Sequence, residues 1–349
     1  MIRRVMDENA GFVKDVSDII AVEALKNPSL IPDLSGDKTL FLFSDYSRVR
    51  GRYKTYSFFV LGRSGADSFN TARKALRRDF GLGHRHISFK GLNDRVKLRA
   101  LPAFLSLAGA SDGLILTFAV SSSIPYMFAE QFLQACPDLA VFKKPVLEDM
   151  LRIAHFGAQA VLIAFSSKQN IVWFTDEDSI VANEAHQQHF GRLAQAVIRK
   201  VLPDEEIGKI AFGLTGVDDG SLEIEDLVSI PDLTAGALCE LLDALSEKGQ
   251  HITPRILLKN PGVSRKTDLI CEWIGKTHCP LKKFGVTFDS TGPGAWDWRP
   301  TFFRIKNTNT ANCEFVCPAR RRRPLMADPI RFDISDQCFN PEDAENRRD

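Results

Sequence analysis

Three aspartates occupy positions where a folded chain rarely keeps an acid without a use. Asp45 closes the apolar run TLFLFSD, Asp176 closes IVWFTD, and Asp232 lies in SIPDLTAGAL. Aspartate is a poor strand residue and is costly to bury unpaired. Side chains alternate along a strand, so Asp45 shares a face with Phe41 and Phe43, and Asp176 shares one with Val172 and Phe174. Both acids carry an apolar stripe out to its rim. Carboxylates gathered at strand ends repel one another unless a cation lies between them. Hard oxygen ligands suit Mg²⁺ or Mn²⁺, and two such ions can activate water and stabilise the leaving oxygen in phosphodiester cleavage. Taken singly, each aspartate is explained by a turn cap or a nearby arginine. Taken together, in a strand-strand-strand-helix-strand order, they favour one shared site.

The identity of a fourth ligand stays open. Asp178 is favoured if the second strand continues by two residues; Glu177 would then face the other side, and Glu148 and Asp149 are helix-borne alternatives. Lys90, in ISFKGLNDR, could neutralise a scissile phosphate, and a solvated strand-end lysine explains it as well. Arg48, Arg50 and Arg52 follow Asp45 on a basic turn, where they would either contact a nucleic-acid backbone or form a soluble hairpin tip.

The elements that must position these residues can be read from periodicity and turn chemistry. Residues 1 to 37 read as an amphipathic helical extension. Strands are expected at Thr39–Asp45 and Tyr53–Leu61, paired antiparallel, and a short third at His86–Lys90. A helix over Ser68–Asp79 is broken by Gly81 and Gly83, and Asn93 or Asp94 caps another from Arg95 to Gly109. Gly113–Val120 is a buried strand, Tyr126–Ala135 and Val146–Phe165 are helices, and Asn170–Thr175 is a strand. Glu184–Val201 is a helix and Lys209–Leu214 a strand. Pro231 suits a first helical turn capped by Ser229 or Ile230. Leu233, Ala237, Leu238, Leu241, Leu242 and Leu245 then form an apolar stripe. In that first turn, Asp232 would also complement the helix dipole.

With FSDYSR at Ser44–Arg48 and IPDLTAGAL at Ile230–Leu238, the chain resembles the ribonuclease H-like superfamily. Within it, the chain is most similar to a bacterial family of unknown function. That family opens with a strand ending in an Asp-Glu-Ser-Gly motif and closes its core with an Ala-Asp-Leu-x-Ala-Gly helix. The resemblance spans about residues 38 to 245. Tyr46 stands for the Glu, Arg48 for the Gly and Pro231 for the Ala. The resemblance implies a mixed five-stranded α/β sheet flanked by helices, and metal-dependent cleavage of DNA or RNA with Asp45, Asp176 and Asp232 as ligands. A catalytically silent module binding nucleic acid or a protein partner is the alternative it allows.

Composition bounds the rest. The chain has 349 residues, 44% hydrophobic and 26% charged, with a net charge of +1, so no global field drives it onto a polyanion. Charge is nevertheless uneven. Residues 73 to 99 carry nine Lys or Arg against two Asp, and residues 204 to 247 carry twelve acids against one Lys. These runs read either as a polyanion-facing patch beside a cation-holding one, or as two solvated faces. Seven cysteines and no apolar leader point to reduced thiols in the cytoplasm, and the apolar run from Pro102 to Val120 is broken by Ser111-Asp112-Gly113, which argues against a membrane span.

Cys271, Cys279, Cys313 and Cys317 match no strong zinc spacing. His186 and His189 are explained by a surface helix face. Trp296 and Trp298 could stack on bases, and the run at 319–324 could bind phosphates. There is no phosphate-binding G-x-x-x-x-G-K-[ST] loop and no G-x-S-x-G elbow. Three segments are expected: 1–37, a ribonuclease H-like domain over 38–250, and a smaller β-containing region over 251–349 whose last residues are disordered.

Overall fold

The computed structural model describes residues 12–47, 51–128, 142–176, 184–202, 207–247, 262–276 and 279–292, with strand segments at 295–305, 313–315 and 323–324. Apolar runs buried on both faces form β1 (Thr39–Tyr46) and β2 (Tyr53–Gly62), which pair antiparallel with Asp45 opposite Ser57. β3 (Gly113–Ser121) runs antiparallel to β2. On the other side, β4 (Gln169–Thr175) lies parallel to β1, and β5 (Ile207–Leu214) parallel to β4. The sheet does not stop at five strands. β6 (Lys282–Gly292) runs parallel to β3 and β7 (Ala295–Ile305) antiparallel to β6, giving the order β5-β4-β1-β2-β3-β6-β7. β6 and β7, both past residue 250, therefore extend the central sheet.

Helices cover both faces. Leu40, Leu42, Phe58 and Trp173 face a core shared with α1 (Phe12–Lys26), α4 (Lys144–Ala164) and α5 (Glu184–Val201). Phe43, Phe59 and Ile115 face the other core. There they meet α2 (Arg63–Asp79), α3 (Arg95–Gly109), α6 (Glu223–Glu247) and α7 (Arg265–Gly275). Asp94 caps α3, its carboxylate accepting from the N–H groups of Val96 and Lys97. Gly81 and Gly83 follow α2 at φ +66° and +53°, a backbone that favours glycine. Among the described residues, no helix is long and apolar enough to cross a membrane.

Several expectations need correction. α6 begins at Glu223, so Pro231 and Asp232 lie inside it rather than in its first turn. The helix tolerates the proline because the buried stripe Leu233, Ala237, Leu238, Leu241, Leu242 and Leu245 packs on the sheet, and tertiary burial outweighs one lost backbone bond. The dipole account of Asp232 goes with that first turn. No strand forms at His86–Lys90; extended chain leads into a 3₁₀ turn, Lys90–Asn93. Its backbone groups are committed elsewhere. The Phe89 N–H donates to Asp232 and the Phe89 carbonyl accepts from Lys266, while just before the segment the Arg85 carbonyl accepts from Arg77. Residues 126–128 are not helical, and the rest of the helix expected to end at Ala135 lies outside the described residues.

The two opposite charge runs do not sit apart, although Lys74, Arg78, Arg85, Lys90, Arg95 and Arg99 are exposed. Arg73 and Arg77 of α2 are buried, and both donate to Asp226 of α6, at 3.1 and 2.7 Å. Arg73 and Lys74 also pair with Glu223, and His86 pairs with Glu225. The basic and acidic runs thus meet each other. Replacing Arg77 by Met leaves Asp226 buried with one guanidinium, and urea unfolding should show a loss of about 3 kcal/mol. Lys74→Met, at an exposed position, should stay within about 0.5 kcal/mol of the parent.

Candidate metal and phosphate site

The three aspartates of the sequence reading line one cleft of about 1270 Å³, together with Lys90. β1 and β4 are neighbours in parallel register, with Ser44 beside Thr175. The pairing ends there, and Asp45 and Asp176 are the next residues along the chain from Ser44 and Thr175. The apolar stripe beneath them is a stack of rings. Phe174 lies 6.4 Å from Phe41 and 5.9 Å from Phe43, and all three face α6. α6 crosses this face and brings Asp232 to the same cleft.

Each carboxylate has partners that fix its direction. Asp176 accepts from the Thr215 hydroxyl at 3.1 Å, just past the end of β5. Asp45 accepts from the N–H of Tyr46, whose own hydroxyl bonds Ser44 and Thr175. Asp232 accepts from the Phe89 N–H at 2.6 Å. Burial is the main cause that raises the Asp232 carboxyl to about 6, and the nearby Asp176 charge raises it further. The Phe89 bond and the charges of Lys90 and Lys266 pull the other way. Lys266 Nζ sits 4.2 Å from the Phe89 ring centroid and donates to the Phe89 carbonyl at 2.8 Å.

The glycine of the PDLTAG stretch has a packing reason. A Cβ on Gly236 would stand 2.3 Å from the Phe89 ring, so only glycine lets that ring lie against α6, one turn from Asp232. The neighbouring Ala235 carbonyl accepts from Thr55 at 2.7 Å, which ties the same turn of α6 to β2.

Other candidates fall elsewhere. Arg48, Arg50, Glu177 and Asp178 lie outside the described residues. Arg52 is exposed and donates its backbone N–H to Asp243, a cleft residue, at 2.7 Å. Glu148 and Asp149 are not ligands of this cleft. Glu148 pairs with Arg152 at 2.8 Å, and Asp149 accepts from Tyr56 and Lys54 beside the opposite core. His186 and His189 pack on Phe142. The side chains of Cys313, Cys317, Trp296 and Trp298 and the basic run at 319–324 lie outside the described residues. Among the described residues, no three His, Cys, Asp or Glu side chains are grouped closely enough to hold a metal ion.

Lys266, Phe89 and Thr215 escaped the sequence reading. Lys266 is 177 positions from Phe89, and no local pattern joins them; only the packing of α7 beside α6 does. Thr215 could have been found as the hydroxyl that directly follows the last strand of the core. A scan against protein-family models finds no match, and no curated protein matches the chain.

Two outcomes are expected at Asp232. Its raised carboxyl favours the protonated folded state, a contribution present below about pH 4 and lost as pH rises through about 6. Asp232→Asn keeps an acceptor for Phe89 and cannot ionise. It should gain on the parent across that window and be about 1–2 kcal/mol more stable at pH 7, as read by urea unfolding at both ends. A difference independent of pH would contradict this assignment. Gly236→Ala should displace Phe89 and lower stability by about 1–3 kcal/mol, measured by thermal unfolding.

Proposed function

We propose that the chain is a divalent-metal-dependent nuclease of the ribonuclease H-like type, hydrolysing phosphodiester bonds of DNA or RNA. The observation that carries this reading is the convergence of Asp45, Asp176 and Asp232 on one cleft, from two adjacent strand ends and the helix that crosses them. The strand order β3-β2-β1-β4-β5, with β2 alone opposed to the other four, supports the same reading.

The donors fit a hard cation. All three are carboxylates, and the two on adjacent strands repel each other without positive charge nearby. Asp45, Asp176 and Asp232 would hold Mg²⁺ or Mn²⁺, which when bound supplies an activated water and stabilises charge on the phosphate. Lys90 and Lys266 place positive charge beside Asp232, where phosphate oxygens would lie, and Lys266 also holds the Phe89 backbone that orients Asp232. Phe89 and Gly236 set the height of that carboxylate above α6. The free thiols Cys239, Cys271 and Cys279 accord with a reducing cytoplasm.

A second reading is a catalytically silent module that binds nucleic acid or a protein partner. The hydrogen bond of Asp232 to Phe89 and the lack of a close three-ligand group among the described residues favour it. Cleavage assays on single- and double-stranded DNA and RNA, with Mg²⁺, Mn²⁺ or EDTA, separate the two. The nuclease reading expects cleavage that requires metal and falls at least about a thousandfold in Asp45→Asn. Tight binding without cleavage, unchanged in Asp45→Asn, would establish the silent module.

A further inference from the structure

Away from the cleft, where α7 gives way to β6, Cys279 and Lys283 face each other. Lys283 Nζ stands 2.8 Å from Cys279 Sγ. Lys283 is 6% exposed, an unusual depth for an amine with no carboxylate beside it in its hydrogen bonds, which go to Cys279 and the Leu281 carbonyl. Its Nζ lies 5.0 Å from the Trp273 ring centroid. Among the described residues, the buried Trp273 indole N–H has no acceptor. Trp273 Nε1 and Cys279 Cβ stand against the same point on Gly109, at 3.1 and 3.9 Å from where its Cβ would be. A thiol, a buried amine and an unsatisfied buried donor therefore surround one spot, and an oxygen on the sulfur would give the indole its missing acceptor.

We propose that Cys279 is an oxidation site for small hydroperoxides, and that Lys283 captures the oxidised sulfur as a Cys279–Lys283 sulfenamide. In the first step Lys283 takes the thiol proton and the thiolate attacks a peroxide oxygen. The O–O bond breaks, Lys283 returns the proton to the departing hydroxide (an alkoxide for an organic hydroperoxide), and the products are Cys279 sulfenic acid and water (or the alcohol). Sulfur is oxidised by two electrons and the peroxide is reduced. In the second step the neutral Lys283 amine attacks the sulfur, an S–N bond forms, the S–O bond breaks, and the hydroxyl leaves as a second water with one amine proton. Burial favours the neutral amine that this step needs, lowering the Lys283 pKa.

The other described thiols lack this setting. Cys271 is buried beside Asp268 and Glu240, and desolvation pushes its thiol up. Burial also pushes up Cys239, which donates to the Tyr53 carbonyl. Cys279 alone among the three is partly accessible and has an amine in contact.

The test uses the full chain treated with hydrogen peroxide, with dimedone added to trap sulfenic acid, and peptide mapping by mass spectrometry. The expected result is dimedone on Cys279 in preference to Cys239 and Cys271. Without the trap, a peptide carrying residue 279 should be joined to Lys283 with the loss of two hydrogens, reversed by dithiothreitol. Lys283→Met should abolish the cross-link and slow trapping at Cys279 by about tenfold. Lys283→Arg stays protonated and can neither take the thiol proton nor form the S–N bond, so it should lose the cross-link and slow trapping as Lys283→Met does. Trapping at Cys279 no faster than at Cys271, or an unchanged rate in Lys283→Met with the fold intact by circular dichroism, would overturn the proposal.

Discussion

The structure depends on a buried acid held between two guanidinium groups. Asp226 is 1% exposed, and Arg73 and Arg77 of α2 both donate to it. A lone carboxylate at that depth would be untenable; a carboxylate with three charge-assisted bonds is not. Arg77 spends its remaining donor on the carbonyls of Gly83 and Arg85, and so fastens the chain between α2 and α3 to the same point. Two helices and a loop are thereby fixed to one charge. The position of α6, and with it the position of Asp232, follows from that clamp and from the apolar stripe that lies on β1 and β2.

From there the cleft assembles by ordinary packing. The stacked rings of Phe41, Phe43 and Phe174 set β1 and β4 at matching heights, so the acids that follow them come level. α6 closes over those rings. Gly236 leaves room for Phe89, whose backbone then meets Asp232 on one side and Lys266 on the other. The carboxylate is partly desolvated and pushed up to about 6, and two lysines beside it limit that rise. The cleft therefore contains both signs of charge, as recognition of a phosphate backbone through a bound cation would require.

Much of this was legible in the chain. The apolar runs Thr39–Asp45 and Tyr53–Leu61 give the first hairpin, and Asn93 or Asp94 announces the start of α3. The shared face of Asp45, Phe41 and Phe43 follows from the pleat. What could not be read had non-local causes. Pro231 looks like a helix start because the buried stripe that carries the helix through it is visible only once the sheet is in place. His86–Lys90 has the composition of a strand, yet Asp232 and Lys266 claim the N–H and carbonyl of its Phe89 from other elements. The basic and acidic runs look like two surfaces because nothing in either reveals that Arg77 and Asp226, 149 positions apart, are partners.

The central claim is that Asp45, Asp176 and Asp232 act together as one cation site. Calorimetric titration of Mn²⁺ into the full chain and into the three single Asp→Asn variants tests it directly. The account predicts one saturable binding event near neutral pH, weakened at least about tenfold by each substitution, with protons released as the pH is lowered toward 6. Binding that persists unchanged in all three variants, or no binding in the parent protein, would contradict it.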